Sequence, residues 1–501
     1  MEARQPSESN YSLPIGLRYN LGIADSVPAV RNISQYLSSN ATTFSGTGTN
    51  VCRIPVSSGN FLDLKNALLQ FEFEADGNIV QFDGSVAGII EEINITAGGQ
   101  TIETIRGYGQ LDAILDQYSS SDSVLRQNAV LKGGIKQIDE TASFVAVAGT
   151  SGNAALVATA SSESFNTGIK VTSKNTYTGN TGQTTVTLEG AGGIGYDQAQ
   201  TQVLNAGIKR KYSFALKACG FFNPATNKLM PPNTPFMVSI QFAPGQNCLV
   251  NKSSTTAAAA YKVAECELHI PEIQILDPAF MSRMQARMAQ GLAWKCNSYD
   301  HFVNTMAGST GNTTVQISAR ARSLKGLMTV LRLQSNVSNV DAFKLSKRSI
   351  QYVSDFCYRI GSSQYPSQKC DIVTADTYAA GGTAAGTRVT LATDGDLNVG
   401  EAYSHVLRLT GNLNTAGAHN LISEESFAQS ELNNGTGILA MDLSAFADGS
   451  VNSGLNTLNN MPVSLEVNRT AAANGVIQTD TYSIHELVII RDASGQLSSV
   501  Y

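Results

Sequence analysis

The sequence predicts an all-β protein built from two successive β-sandwich domains. Three observations support this prediction: short runs alternate apolar and polar residues, turn-forming residues separate the runs, and one helical segment divides the chain near its middle. Because a sandwich can reach about 200–250 residues as a single unit, a chain of 501 residues accommodates two of them.

The composition is that of a folded chain with little charge. Hydrophobic residues make up 42% and charged residues only 15%, whereas charged residues average roughly 25% in soluble domains. Disordered chains are poor in apolar residues and strongly charged, so disorder is excluded as the main state. The formal net charge of −6 provides no strong attraction for nucleic acid, and we predict no direct sequence-specific nucleic-acid partner.

Apolar alternation predicts the individual strands. In residues 67–74, Leu69, Phe71 and Phe73 share one face while polar residues take the other. The last core strand is predicted at Ser483–Ile490, where an unbroken apolar end indicates a strand covered on both sides. The same two-residue period predicts further strands at Thr185–Leu188, Phe236–Phe242 and Val463–Val467.

Two amphipathic helices are predicted within this β pattern. The first carries apolar residues at helical spacing, namely Leu111, Ile114, Leu115 and Tyr118. The second spans residues 277–288, with Asp277 as its N-cap and Pro278 in its first turn. We interpret the second helix as a linker between the domains, with its packing face formed by Met281, Met284 and Met288.

These elements predict a domain organisation with two long insertions. Residues 139–205 and 374–390 are rich in Ala, Gly, Ser and Thr and interrupt the strand pattern. The first is too long for a bare loop, so we expect it to contain strands of its own. The predicted order is an N-terminal segment 1–49, a first sandwich 50–277, a linker helix 278–290 and a second sandwich 291–501.

The cysteines favour free buried thiols in a reducing compartment. Their number is odd and no pair has CxxC spacing; they are Cys52, Cys219, Cys248, Cys266, Cys296, Cys357 and Cys370. The N-terminus lacks a basic segment followed by an apolar one, so we expect no secretory signal. No apolar stretch approaches the roughly 18 residues of a membrane-spanning helix.

No catalytic constellation can be assembled, and we predict neither an enzyme, a cofactor nor a metal site. Gly190–Gly195 superficially matches a dinucleotide fingerprint but lacks the βαβ context that the fingerprint requires. Asp394–Asn398 alternates oxygen ligands like a calcium loop, yet Val399 and His405 replace the required glycine and glutamate. We interpret this segment as a turn tip. A zinc site built from distant cysteines and histidines is the alternative that the pattern leaves open.

Short basic clusters interrupt the acidic chain. A duplex-binding protein would present a continuous basic face and a positive net charge, which this sequence lacks. We therefore interpret the clusters as solvated turns or subunit contacts. They are Lys209–Lys211, then Arg320, Arg322 and Lys325, then Lys344, Lys347 and Arg348.

The order of several degenerate motifs resembles one family, the double-jelly-roll major capsid proteins of icosahedral DNA viruses, especially the polinton-like, virophage and large-virus branches. In the first half the resemblance rests on Phe61–Leu64, Ile93–Glu103 with the helix that follows, Phe221–Pro224 and Leu229–Pro232. In the second half it rests on Ala319–Leu327, Val353–Pro366, Ala440–Leu443, Ser453–Asn456 and the strand from Met461.

This resemblance implies two eight-stranded jelly rolls and a function in self-assembly. Three chains would form a homotrimeric, pseudo-hexagonal capsomer that tiles a virion shell assembled inside the host cell. Its implied partners are other capsomers and penton and minor capsid proteins, and the resemblance is compatible with an internal membrane beneath the shell. Low charge suits the contacts between such tiles, since a buried unpaired charge is costly.

Two other functions compete with the capsid hypothesis. A host-attachment or adhesin-type sandwich would expose aromatic platforms on its loop tips, but the aromatic residues lie mostly within predicted strands. The single tryptophan, Trp294, lies near the predicted domain junction. A sandwich enzyme would need two carboxylates converging in one cleft, and no spacing in the sequence predicts such a pair.

Overall fold

The structure is a computed structural model that describes most of both predicted domains. The described residues are 28–119, 127–134 except 129, four short strands between 144 and 188, 203–372 except 225–227, 252, 255, 338, 341 and 342, and 398–500 except 412, 414–421, 423–426, 429–434, 446–452, 460, 471, 472 and 474.

The described residues of the first half form seventeen strands. They are β1 Ala29–Leu37, β2 Thr43–Phe44, β3 Val51–Val56, β4 Phe61–Leu62, β5 Leu68–Asp76, β6 Val80–Phe82, β7 Ile90–Ala97, β8 Gln100–Arg106, β9 Phe144–Val147, β10 Ala155–Ala158, β11 Val171–Ser173, β12 Val186–Leu188, β13 Val203–Leu204, β14 Lys209–Phe214, β15 Phe236–Phe242, β16 Leu249–Asn251 and β17 Ala260–Ile275.

The second half adds nine strands among the residues that the structure describes. They are β18 Leu292–Met306, β19 Gly311–Ile317, β20 Leu324–Leu333, β21 Val353–Ile360, β22 Ser363–Asp371, β23 Leu439–Asp442, β24 Val463–Arg469, β25 Ile477–Arg491 and β26 Leu497–Val500. The α-helices are α1 Tyr108–Ser119, α2 Gly245–Cys248, α3 Pro278–Met288, α4 Gln334–Val337 and α5 Gly400–Leu409. None of these helices is long and apolar enough to cross a membrane.

Strand formation follows the apolar alternation read from the sequence. In β5, Leu69, Phe71 and Phe73 are buried while the intervening polar residues are half-exposed, as predicted. The strands β15 and β24 also form where predicted. The strand β25 is buried along nearly its whole length and pairs with β18 on one side and β20 on the other, as its unbroken apolar end predicted.

The two halves fold into sandwiches with the same strand order. In the first sandwich one sheet runs β1-β17-β5-β14 and the other β3-β15-β7-β8. In the second sandwich the sheets run β18-β25-β20-β23 and β19-β24-β21-β22. If the eight strands of each sandwich are counted along the chain, both have sheets of order 1-8-3-6 and 2-7-4-5. Two such four-stranded antiparallel sheets make a jelly roll, so the chain contains two in tandem.

Both predicted insertions fall between the fifth and sixth strands of a sandwich. The first contains two antiparallel strand pairs, β9 with β10 and β11 with β12, which confirms the expectation of strands there. Residues 374–390, Gly190–Gly195 and the start of the calcium-like segment, Asp394–Leu397, lie outside the described residues.

The linker helix α3 begins as its sequence predicts. The carboxylate of Asp277 accepts a hydrogen bond of 2.9 Å from the backbone N–H of Ala279, and Pro278 occupies the first turn. Met288 is buried, whereas Met281 and Met284 are half-buried. The packing role of these three methionines remains a proposal.

Two elements differ from the sequence predictions. The segment 1–49 contains β1, which pairs with β17 in the first sandwich and so belongs to it. This edge strand is mostly exposed, so its sequence lacks the alternation that identifies a half-buried strand. The helix α5 was also not predicted, because Val399 at its N-cap makes no side-chain capping bond and Gly400 disfavours a helix start by propensity.

Candidate functional site: the junction between the sandwiches

The two sandwiches meet along a junction of buried polar side chains. A buried polar group must find a hydrogen-bond partner, since desolvation otherwise destabilises the fold. Here many of the partners lie on the opposite sandwich. The first sandwich contributes Asp83, Glu103, Gln117 and Tyr118, and the second contributes Ser298, Ser346, Arg348, Thr436 and Tyr482.

Asp83 fixes a loop of the second sandwich from its position just after β6. Its buried carboxylate accepts bonds from the backbone N–H groups of Lys344 (2.6 Å), Leu345 (2.7 Å) and Ser346 (2.9 Å). The hydroxyl of Ser346 donates a fourth bond of 2.6 Å. Hydrogen bonds to a carboxylate are among the strong ones, so this loop is held in one conformation by one side chain of the other sandwich.

Glu103 on β8 forms a second bridge. Within its own sandwich its carboxylate accepts bonds from the N–H groups of Gly220 (2.9 Å) and Phe221 (2.8 Å) and from the thiol of Cys219 (3.1 Å). It also accepts a bond of 2.7 Å from the hydroxyl of Ser298 on β18. Burial, with the nearby charge of Glu103, raises the pKa of Cys219, so this thiol is a neutral donor.

The C-terminal end of α1 reaches across the junction. Gln117 donates a bond of 2.7 Å to the carbonyl of Ser346, and the hydroxyl of Tyr118 donates one of 2.7 Å to the carbonyl of Thr436. The guanidinium of Arg348, fully buried, donates to the same Thr436 carbonyl at 2.9 Å and also to Gln117. Burial raises the pKa of Tyr118, which keeps its hydroxyl a donor.

A charged network in the second sandwich supports a further contact across the junction, between Tyr482 and Gln110. Asp480 accepts bonds from Arg332 at 2.6 and 3.0 Å and lies 3.1 Å from the ring of His301. Burial alone would raise the pKa of Asp480, but Arg332 and His301 outweigh burial and lower it to about 2. The ring of His301 stacks on Tyr482, whose hydroxyl lies 2.9 Å from Oε1 of Gln110 on α1.

Gly107, between β8 and α1, permits this close approach. Its φ of +61° is in the left-handed region, which favours glycine. A Cβ at this position would lie 2.6 Å from the hydroxyl of Tyr482 and 2.9 Å from Nδ1 of His301. Glycine is therefore favoured here both because φ is positive and because a side chain would collide with Tyr482 and His301.

The structure corrects the interpretation of one basic cluster. Lys344, Lys347 and Arg348 are buried at the junction and are not solvated. The ammonium of Lys344 donates to the carbonyls of Leu249 (3.1 Å) and Asn339 (2.8 Å), so backbone carbonyls replace its hydration. Lys209 and Lys211, in contrast, form exposed ion pairs with glutamates.

Sequence reasoning identified few of the junction residues. The sequence around the buried carboxylates Asp83 and Glu103 alternates polar and apolar residues without a distinctive motif, and their partners are 116 to 263 positions distant. All seven cysteines are buried and free of disulfides, as predicted. The cysteines of the junction contribute a hydrogen bond and no cross-link, so the two sandwiches are joined by non-covalent contacts and by α3.

This arrangement suits a structural contact between the sandwiches better than a reaction centre. The carboxylates are saturated by fixed donors, and the hydroxyls are neutral donors within hydrogen-bond reach of their acceptors. A nucleophile or a general base needs an accessible reacting atom, which these groups lack. What the geometry provides is a constant orientation of one sandwich relative to the other.

Comparison with solved structures shows the same overall architecture in viral capsid proteins. A chain of the PBCV-1 virus capsid aligns with a TM-score of 0.55 and 9% identity, over 96% of this chain and 99% of that chain. The Faustovirus major capsid protein aligns with a TM-score of 0.56 and 9% identity, over 94% and 92%. A chain of the Sputnik virophage aligns with a TM-score of 0.52 and 9% identity, over 98% and 92%.

The sequence itself gives no comparable match. No protein-family model matches the chain, and no curated protein matches it significantly in sequence. The likeness thus lies in the fold, and it covers nearly the whole chain. The chain has the double-jelly-roll fold of viral major capsid proteins.

Proposed function

We propose that this chain is the major capsid protein of an icosahedral DNA virus and that three copies form a pseudo-hexagonal capsomer. Such capsomers would tile the shell, so the protein would act in the virion by self-assembly and without catalysis. Its partners would be copies of itself, together with penton and minor capsid proteins.

The observation that carries this proposal is one strand order repeated in two sandwiches that a buried junction holds together. Three copies of such a chain present six similar units, so a closed ring of three approximates six-fold symmetry. A hexagonal outline allows tiles to contact neighbours on every side. The solved structures with the same fold, described as capsid proteins, support this function.

The same reasoning assigns a contact surface between copies. Helix α1 lies between the fifth and sixth strands of the first sandwich, and α5 lies between the fifth and sixth strands of the second. In a pseudo-hexagonal ring, the second sandwich of one copy meets the first sandwich of the next. Helix α5 would then take the position between copies that α1 takes within one chain.

The burial of the two helices supports this assignment. Ten of the twelve residues of α1 are buried. The helix packs on its own sandwich, and the second sandwich covers the side that carries Gln110, Gln117 and Tyr118. In α5 only Ala402, His405 and Val406 are buried out of ten residues. A neighbouring copy would cover the remaining face, as the second sandwich covers α1.

Native mass spectrometry of the purified full-length chain tests the proposal. We expect a trimer, three copies of the 53.0 kDa chain, at micromolar concentration. A stable monomer that binds glycans on an array would contradict the proposal and favour the adhesin hypothesis.

A further inference from the structure

A cluster of three metal-ligating side chains lies in the second sandwich. Cys370 is on β22, and Glu401 and His405 are one turn apart on α5. One ligand atom from each side chain lies within 4.8 Å of the other two. A residue pair at i and i+4 on a helix projects to one side, so both helical side chains can reach the same ion as the strand cysteine.

The ring of His405 is buried without a hydrogen-bond partner. The residue is 7% exposed, and neither ring nitrogen forms a hydrogen bond to any described residue. Its Nε2 lies 3.8 Å from Oε1 of Glu401, too far for a hydrogen bond. A buried polar group in a native fold normally has a partner, so this ring has binding capacity that the described protein atoms do not use.

The donor set of the cluster suits a divalent cation. Glu401 offers a carboxylate oxygen, Cys370 a sulfur and His405 a ring nitrogen. A cysteine binds a metal as its thiolate, so the ion would supply the counter-charge for the sulfur and for the carboxylate.

We propose that Cys370, Glu401 and His405 bind a zinc ion. Thiolate and imidazole together select zinc over magnesium or calcium, which prefer oxygen ligands. In a tetrahedral zinc site the ligand atoms are roughly 3.3–3.7 Å apart, given bond lengths of about 2.0–2.3 Å. The side chain of Glu401, 52% exposed, can rotate to bring its carboxylate oxygen closer to the other two ligand atoms. A water molecule would complete the fourth position.

The proposed ion has a structural role. The strands β22 and β23 lie at the ends of the two sheets of the second sandwich, and α5 contacts both of them. Zinc would link α5 to β22 and thereby join the edges of the two sheets. All three ligands belong to one chain, so zinc binding does not require a second copy.

Metal analysis of the full-length chain tests this proposal. We expect about one zinc per chain by elemental mass spectrometry. After chelation, added Co²⁺ should give a near-ultraviolet thiolate-to-cobalt charge-transfer band that Zn²⁺ abolishes. A wild-type chain that retains no zinc and gives no cobalt band would overturn the proposal.

Variants identify the ligands. Cys370→Ser should eliminate the cobalt band, and His405→Asn should weaken zinc binding by on the order of 100-fold or more, since even outer-shell partners of a metal are worth about 10–100-fold. Cys357→Ser, which removes a buried thiol from the adjacent strand β21, is the matched control and should retain the band. A band that persists in Cys370→Ser would contradict the assignment, and circular dichroism verifies that each variant is folded.

Discussion

At the scale of single residues, buried charged side chains join the sandwiches because each forms hydrogen bonds across the junction. A buried charge without a partner destabilises a protein by several kcal/mol. Asp83 avoids this because four donors from one loop surround it. The orientation of the two sandwiches therefore depends on a few identifiable atoms.

Asp83→Asn should destabilise the protein strongly. The amide of asparagine would place a donor against backbone donors and would remove the negative charge that they stabilise. We expect the free energy of unfolding to fall by about 2–4 kcal/mol, measured by chemical denaturation. Asp76→Asn, at an exposed ion pair with Lys262, is the control and should change it by less than about 1 kcal/mol. Equal effects of the two substitutions would refute the role of Asp83.

Asp480 should make stability depend on pH in the acid range. Its pKa is about 2 in the folded protein, against an ordinary value of 3.8. Because the folded value is the lower one, the stabilisation is complete above about pH 4 and is lost as the pH falls towards 2. Its size is about 2 kcal/mol.

Denaturation curves recorded across this acid range measure that dependence. Asp480→Asn should show a correspondingly shallower decline of stability with falling pH, because it lacks the titrating group. The same decline in wild type and variant would show that Asp480 does not contribute to acid sensitivity.

At the scale of elements, the sequence predicted what local patterns determine. The strand β5 and the helix α3 could be predicted because alternation and an N-cap are local signals. The burial of Lys344 and Arg348 could not, because it depends on partners that are distant in the sequence. Edge strand β1 and helix α5 were not recognised for a related reason, since their boundaries lack strong local signals.

Gly107→Ala should disrupt the contact between the β8–α1 turn and the second sandwich. A methyl group there would collide with Tyr482 and His301, and alanine would also have to adopt the left-handed backbone conformation. We expect the free energy of unfolding to fall by about 2–4 kcal/mol. Gly99→Ala shares a positive φ, +83°, but has no atom within 4 Å of the added Cβ. This control should lose only about 1–2 kcal/mol. If both variants lose the same stability, steric contact at the junction is not the cause.

Arg408→Glu should weaken association between copies without unfolding the chain. Arg408 is exposed near the end of α5, on the helix that we assign to the contact with the next copy. Reversal of one charge at such a contact should lower the trimer association constant about tenfold or more, as measured by analytical ultracentrifugation. Arg283→Glu, on the exposed side of α3, should leave it unchanged. An unchanged association constant for Arg408→Glu would show that the contact between copies does not lie at this end of α5.

At the scale of the whole molecule, one strand order occurs twice and each occurrence has its long insertion at the same place. Under the function that we propose, the contact between chains would resemble the contact within a chain, because the same strand order lies on both sides of each contact. The low content of charged residues, 15%, is consistent with surfaces that pack against other copies. Fold and composition thus support the self-assembly that we propose.

Cryo-electron microscopy of the purified, assembled full-length chain tests this account most directly. The account predicts particles with three-fold symmetry and a hexagonal outline, in which six sandwich densities alternate between junctions within chains and contacts through α5 between chains. A map of isolated two-sandwich monomers, or of an assembly whose symmetry is not three-fold, would contradict it.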